Sequence, residues 1–264
     1  MIIVALVSGT EWRARVRDAA REPFQILWCA HRDELLPLLH GVLADVLIVE
    51  PWDSAGEEIA PVVVAARREF PSLPMVAYCP LTVKAMREVM LLTKAGVDDV
   101  LVREYDVVGV VLRQVLASAR GRRTASEVLP ALAAQLPAEV MPIITCCLEQ
   151  AGHAVTVEAI ARQLGVHRKT LVNRMAAAGL PPPSAVIAWC RLLLAARLLE
   201  DPGRSVEQVA LALDFGSGTA LRNMLRRYAR LRPAEVRERG GLRCVLELFV
   251  QALRSGPRAM PLAS

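Results

Sequence analysis

The sequence predicts an α/β doubly wound domain followed by an all-helical domain, and three observations carry that prediction. Short β-branched and apolar runs alternate with helical stretches through the first 120 residues. The second half carries apolar residues at helical spacing. Within that half one segment recurs: TVEAIARQLGV at 156–166 aligns without a gap with SVEQVALALDF at 205–215, and a basic helical stretch follows each copy.

A chain of 264 residues accommodates two ordinary domains. With 54% hydrophobic and 22% charged residues it can fill packed cores and does not read as a disordered chain. No apolar run approaches the roughly 18 residues of a membrane span. The opening MIIVALV has no basic leader and no cleavage pattern behind it, so a first strand is expected there rather than a signal peptide, and a cytoplasmic location with it. The six cysteines and four histidines are scattered, with no CxxC pair and no cluster at metal spacing. Buried thiols are expected, with no metal and no cofactor. Charge is uneven: residues 1–120 hold 13 Lys+Arg and 16 Asp+Glu, net −3, whereas residues 121–264 hold 19 and 11, net +8. A basic second half points to an anionic polymer as partner.

In order, Ile2–Val7 reads as a strand buried on both faces. Glu11–Arg21 reads as helix, Phe24–Cys29 as strand, Arg32–His40 as helix and Asp45–Glu50 as strand. After a loop at Pro51–Gly56 come a helix at Glu57–Glu69, a strand at Met75–Cys79, a helix at Val83–Lys94, a strand at Asp99–Val102 and a helix at Val107–Ala119. Five strands alternating with five helices predict a parallel sheet covered on both faces.

Residues 1–119 resemble a response-regulator receiver domain, with its flavodoxin-like five-stranded sheet. The resemblance rests on the element order, on DVLIVE closing the third strand and on AGVDDVLVREYD at Ala95–Asp106. The chemistry departs from the family. Ser8-Gly9-Thr10 replaces the acidic pair after the first strand, Glu50 occupies the phosphoacceptor position, and Tyr78, Cys79 or Pro80 falls where Ser/Thr is expected. Arg103-Glu104 stands for Lys-Pro. One carboxylate without acidic neighbours is a poor Mg²⁺ site, and phosphoryl transfer then lacks its main charge stabiliser. A pseudo-receiver that regulates or dimerises without phosphorylation is expected, with Glu50 as a degenerate acceptor that either mimics the charged state or caps its strand.

Residues 121–128, which begin inside the basic run ARGRR at 119–123, read as a linker between a domain at 1–120 and one at 129–240. Residues 241–264 form an amphipathic helix with a tail. Ser126–Gln135 and Glu139–Gln150 read as helices, the second with Pro142 in its first turn. Thr156 caps a helix, Gly165 permits a turn, and His167–Ala178 follows with Leu171 and Met175 inward. Ser184 caps a long helix at Ala185–Glu200. Ser205 caps the second copy, Phe215–Gly218 turns the chain, and a second basic helix follows, with Leu221, Met224, Leu225 and Tyr228 inward. A helix, a glycine turn and a basic second helix form a helix-turn-helix pattern. Gly241–Arg254 carries apolar residues along one face and suits either core packing or dimerisation.

Residues 126–238 resemble the AraC/XylS-type DNA-binding domain, two helix-turn-helix motifs joined by one long helix. GVHRKTLVNRM matches the first motif, WCRLLLAARLL the linking helix, and SVEQVALALDFGSGTALRNMLRRYARLRPAEVR the second motif with its terminal Pro233. Asp214 and Arg230 stand where the family usually has glycine, and Leu221 and Leu225 replace usual aromatics. The resemblance implies a transcription regulator that binds double-stranded promoter DNA in two adjacent major grooves. RNA polymerase and a second copy of the chain are further candidate partners, and no catalytic residues are expected. The DNA-facing positions it implies are Arg168, Lys169, Thr170, Val172 and Asn173 in the first motif and Gly218, Thr219, Arg222, Asn223 and Arg226 in the second. Arginine and lysine suit guanine, asparagine suits adenine, and Val172 suits a thymine methyl. Arg226, Arg227 and Arg230, further along, suit phosphates. Arg174 and Arg191 are expected in internal ion pairs. The competing readings are a phosphorelay regulator with an atypical acceptor and a protein-interaction scaffold.

Overall fold

The computed structural model describes residues 2–19, 25–103 and 123–254. These fall into two compact units, one of residues 1–119 with 201–203 and the other of residues 120–200 with 204–264. The expected helix at 107–119, most of the expected linker and the tail at 255–264 lie outside the described residues.

The first unit runs β1 (Ile2–Leu6), α1 (Thr10–Ala19), β2 (Gln25–Cys29), α2 (Arg32–Gly41), β3 (Val46–Val49), α3 (Ala60–Glu69), β4 (Met75–Cys79), α4 (Val83–Ala95) and β5 (Asp99–Val102). All strands are parallel in the order β2-β1-β3-β4-β5, the flavodoxin-like doubly wound arrangement. Central β1 pairs Ile3 with both Ile26 and Val46. Side chains alternate across the sheet, so one core takes Ile3, Ala5, Val46, Ile48, Val76 and Tyr78 with Val16 of α1. The other takes Val4, Leu6, Leu47, Val49, Met75 and Ala77 with Leu35 and Leu39 of α2 and Val63 of α3. Burial on both faces is why these strands are continuous apolar runs rather than alternating ones.

One element starts later than expected. The pattern from Glu57 suits a helix, but α3 begins at Ala60. The buried Asp53 carboxylate accepts from the amides of Ala55 and Glu57, both at 2.9 Å, and holds 53–57 in a tight loop that competes with the helix.

The second unit contains α5 (123–133), a 3₁₀ turn at Ala138–Val140, α6 (Met141–Gln150), α7 (Val157–Gln163), α8 (Arg168–Ala177), α9 (Pro183–Glu200), α10 (Val206–Ala212), α11 (Gly218–Tyr228), α12 (Pro233–Glu238) and α13 (Leu242–Arg254). Thus among the described residues α5 already includes 123–125, ahead of the expected Ser126. In α9, Pro183 takes the first helical position, where a missing N–H costs nothing, and the Pro182 carbonyl accepts the Ala185 and Val186 amides. Ser184 therefore lies inside the helix instead of capping it. Fourteen of the 18 residues of α9 are buried, which makes it a core helix rather than an amphipathic surface one. It packs against α6, α7, α8, α10, α11, α12 and α13. Trp189 stacks on Phe249 of α13 at 5.5 Å and meets Tyr228 of α11 edge-on at 5.9 Å. Of the two uses open to the tail helix, its apolar face, Leu242, Val245, Phe249 and Leu253, is spent on this core.

Candidate nucleic-acid interface

The recurring segment folds the same way twice. Thr156 and Ser205 cap α7 and α10, their hydroxyls accepting the Ala159 and Gln208 amides at 3.2 and 3.1 Å. At the far end, Val166 N–H donates to the Ala161 carbonyl at 3.0 Å, and Phe215 N–H donates to the Ala210 carbonyl at 2.9 Å. These are the same bond of a left-handed helix terminus, made by aligned residues. The aligned turn residues are Gly165, at φ +65°, and Asp214, at φ +50°. Asp214 therefore takes the glycine conformation with a side chain in place, and its carboxylate lies 3.0 Å from His153. Arg230 does likewise at φ +59°. The two departures from the glycine pattern are the two non-glycine residues at positive φ among those described.

A second helix follows each turn. His167 caps α8, its Nδ1 accepting the Lys169 amide at 3.3 Å, and Ser217 caps α11, its hydroxyl accepting the Ala220 amide at 3.2 Å. Counted from their first residues, α8 and α11 correspond with an offset of 50, one more than the helices before them, because Gly216 lengthens the second turn. Leu171 and Leu221 then match, as do Met175 and Leu225. These leucines and Met175 are fully buried. Asn173 and Asn223 also match, and both are exposed.

In the first motif Arg168, Lys169, Thr170, Val172 and Asn173 are all exposed, with Lys169 and Asn173 on the side of α8 opposite Leu171 and Met175. Val172 is 38% exposed. In the second motif Thr219, Asn223 and Arg226 are exposed and Arg222 is partly so. Gly218 differs from the expected exposed position. It is buried, and its amide donates to Glu207 Oε2 at 2.7 Å. A Cβ there would meet the Glu207 carboxyl at 2.3 Å, so the position provides close approach rather than a presented group.

Two acids that the sequence reading passed over lie at this face. Glu207 Oε1 pairs with Arg222 at 3.1 Å, and Glu158, its aligned counterpart, pairs with Arg168 at 3.1 Å. Spacing between separate helices hides such pairs from a linear reading. Arg191, expected in an ion pair, instead donates to the Leu213 carbonyl and lies 4.0 Å over the Phe215 ring. Burial holds its pKa below the usual arginine range, and Asp214 opposes that shift. Arg174 is exposed, with no ion pair among the described residues.

At the C-terminal ends of β1 and β3, Glu50 is 3% exposed. It accepts the Ser8 amide at 3.1 Å, the Ser8 hydroxyl and a guanidinium N–H of Arg103. Trp12 and Tyr78 wall the guanidinium, with ring centroids 4.8 and 5.2 Å from its Cζ. The carboxylate's lone pairs are turned to the protein's own donors. Among the described residues no group of three or more His, Cys, Asp and Glu is placed to hold a metal. No described helix is long and apolar enough to cross a membrane. Burial raises the Cys29 thiol to about 11 and Cys147 to about 12, so these cysteines remain neutral packing groups.

Two capped helix pairs, each with a partly buried first helix and a solvent-facing second one, joined by a core helix, define a double helix-turn-helix domain. Comparison with known proteins agrees: residues 160–239 match the family described as a helix-turn-helix domain, and this C-terminal domain is of the AraC type. Over 87 residues the chain is 38% identical to the HTH-type transcriptional regulator VirS of Mycobacterium tuberculosis, in both strain CDC 1551 / Oshkosh and strain ATCC 25618 / H37Rv. That alignment covers 33% of this chain, which spans about a quarter (25%) of the length of those relatives. Among solved structures, NtrX of Brucella abortus in complex with ADP matches with TM-score 0.42 and 13% identity, over 47% of this chain and 29% of its own. The signal receiver domain of an HD domain-containing protein of Pseudomonas fluorescens Pf-5 matches with TM-score 0.41 and 15% identity, over 46% and 90%. The fold of the first unit rests on its own strand order.

Proposed function

We propose that the chain is a cytoplasmic, sequence-specific DNA-binding transcription regulator without catalytic activity, which reads two adjacent major grooves with α8 and α11. The observation that carries this reading is the repeated turn, with Val166–Ala161 and Phe215–Ala210 bonds in register and an exposed polar face on the helix after each. The net charge of +8 over residues 121–264 supports a polyanionic partner, and the similarity to the HTH-type transcriptional regulator VirS agrees with it. On this reading Arg168, Lys169, Thr170, Val172, Asn173, Thr219, Arg222 and Asn223 face base edges and Arg226 faces phosphate. RNA polymerase is a second partner, and the N-terminal unit regulates or dimerises. Selection from random duplex DNA tests the reading. Two half-sites about one helical turn apart are expected, and no enrichment at any salt concentration would sink it.

Phosphorylation has no place in this mechanism. The Glu50 carboxylate is already bonded to Arg103 and Ser8, and a glutamate in that state is not an available nucleophile. Acetyl phosphate with Mg²⁺ is expected to leave the intact mass unchanged; a phosphorylated species would restore the phosphorelay reading.

A further inference from the structure

The two motifs share more than their turns. Each holds an acid two residues past its N-cap, Glu158 after Thr156 and Glu207 after Ser205, and each acid grips an arginine of the following helix. The arginines are not equivalent: Arg168 opens α8, whereas Arg222 is the fifth residue of α11. The same acid has therefore been satisfied twice by different arginines, which makes the pairing a property of the motif rather than a by-product of duplication. All four side chains are 40–63% exposed, and ion pairs that wet contribute little to stability. Their use lies elsewhere.

We propose that Glu158 and Glu207 are specificity-determining residues of the DNA interface, a proposal that rests on the DNA-binding reading above. Each acid holds its arginine off the phosphate backbone and so penalises sequence-independent binding. An arginine bound to any DNA first exchanges its carboxylate for a phosphate, and the carboxylate then faces that phosphate as a like charge. A guanine edge imposes a smaller penalty. The guanidinium has five donors in a planar fork, so one edge can stay on the carboxylate while another meets O6 and N7. The acid also restricts the rotamers that the arginine samples before binding. Glu207 does this a second way. Its Oε2 takes the amide of Gly218, a donor at the start of α11 that a phosphate would otherwise use. By contrast Arg226 is exposed and has no ion-pair partner among the described residues, which leaves it for ordinary phosphate attraction.

Full-length protein carrying Glu158→Gln, Glu207→Gln or both tests this, with the selected operator and a mixed-sequence duplex titrated between about 50 and 200 mM salt. Glutamine keeps an acceptor for the Gly218 amide and removes the charge. Each substitution is expected to raise affinity for the mixed duplex roughly threefold or more. The operator-to-mixed ratio should fall by a similar factor, and the slope of log K against log salt should steepen by about 0.9 per arginine released to a phosphate. A folded variant with unchanged slope and ratio, or with equal loss on both duplexes, overturns the proposal. If circular dichroism shows Glu207→Gln misfolded, Glu158→Gln decides alone, because its carboxylate bonds no backbone group. Wild-type protein that binds neither duplex would remove the DNA-binding reading and this proposal together.

Discussion

Asp214 and Arg230 hold left-handed backbone, at φ +50° and +59°, that costs an L-residue roughly 1–2 kcal/mol and glycine almost nothing. Aspartate is tolerated better than arginine there because its short side chain bonds locally, and Asp214 does reach His153. Arg230→Gly should therefore raise the unfolding free energy by about 1 kcal/mol, and Asp214→Gly by less, since glycine also frees the unfolded chain. Urea midpoints of the two variants measure this; a fall for Arg230→Gly would mean its side chain holds something its backbone strain conceals. Glu50 and Arg103 pose the opposite case, a buried pair whose side chains are 4% and 12% exposed. Breaking such a pair strands one charge, so Glu50→Ala should cost about 3 kcal/mol. The Glu50→Ala/Arg103→Ala double variant should cost clearly less than the two single losses added together. Additive losses in a denaturant double-mutant cycle would show that the two residues act separately.

Among the elements, α9 decides the second unit and α13 completes it. Phe249 is fully buried on Trp189, so Phe249→Ala should cost about 3–5 kcal/mol, read as a lowered urea midpoint of the helical unit. A shift under about 1 kcal/mol would mean that α13 is dispensable. The apolar face of α13 was visible in the spacing of Leu242, Val245, Phe249 and Leu253, but its destination was not, because a stripe does not say what it packs on. The inner strands β1, β3 and β4 were legible to within a residue for a physical reason: burial on both faces makes them continuous apolar runs. The α3 start was not, since Glu57–Ile59 fits a helical pattern and only the fold brings the Asp53 carboxylate onto those amides. The exposed positions of α8 could be read from the sequence because Leu171 and Met175 fix its inner face. Gly218 was misplaced because its surroundings depend on Glu207, a residue eleven positions away on another helix. The arginine–acid pairs escaped for the same cause.

For the molecule as a DNA reader, one dimension matters most, the length of α9. Eighteen helical residues at 1.5 Å each span about 27 Å. Because α9 is buried on nearly every side by the helices of both motifs, it cannot stretch or pivot without opening the core. The two recognition helices should then accept one half-site separation only. Inserting five base pairs between the half-sites turns one of them by half a helical turn, and affinity should fall about a hundredfold or more, towards that of one motif alone. Inserting ten restores the rotation but moves the half-site about 34 Å further along. A flexible tether would recover affinity at ten base pairs, whereas this helix should not. Gel shifts on the parent, five-base-pair and ten-base-pair operators distinguish the two, and recovery at ten would mean that the motifs move independently and that α9 does not set their spacing.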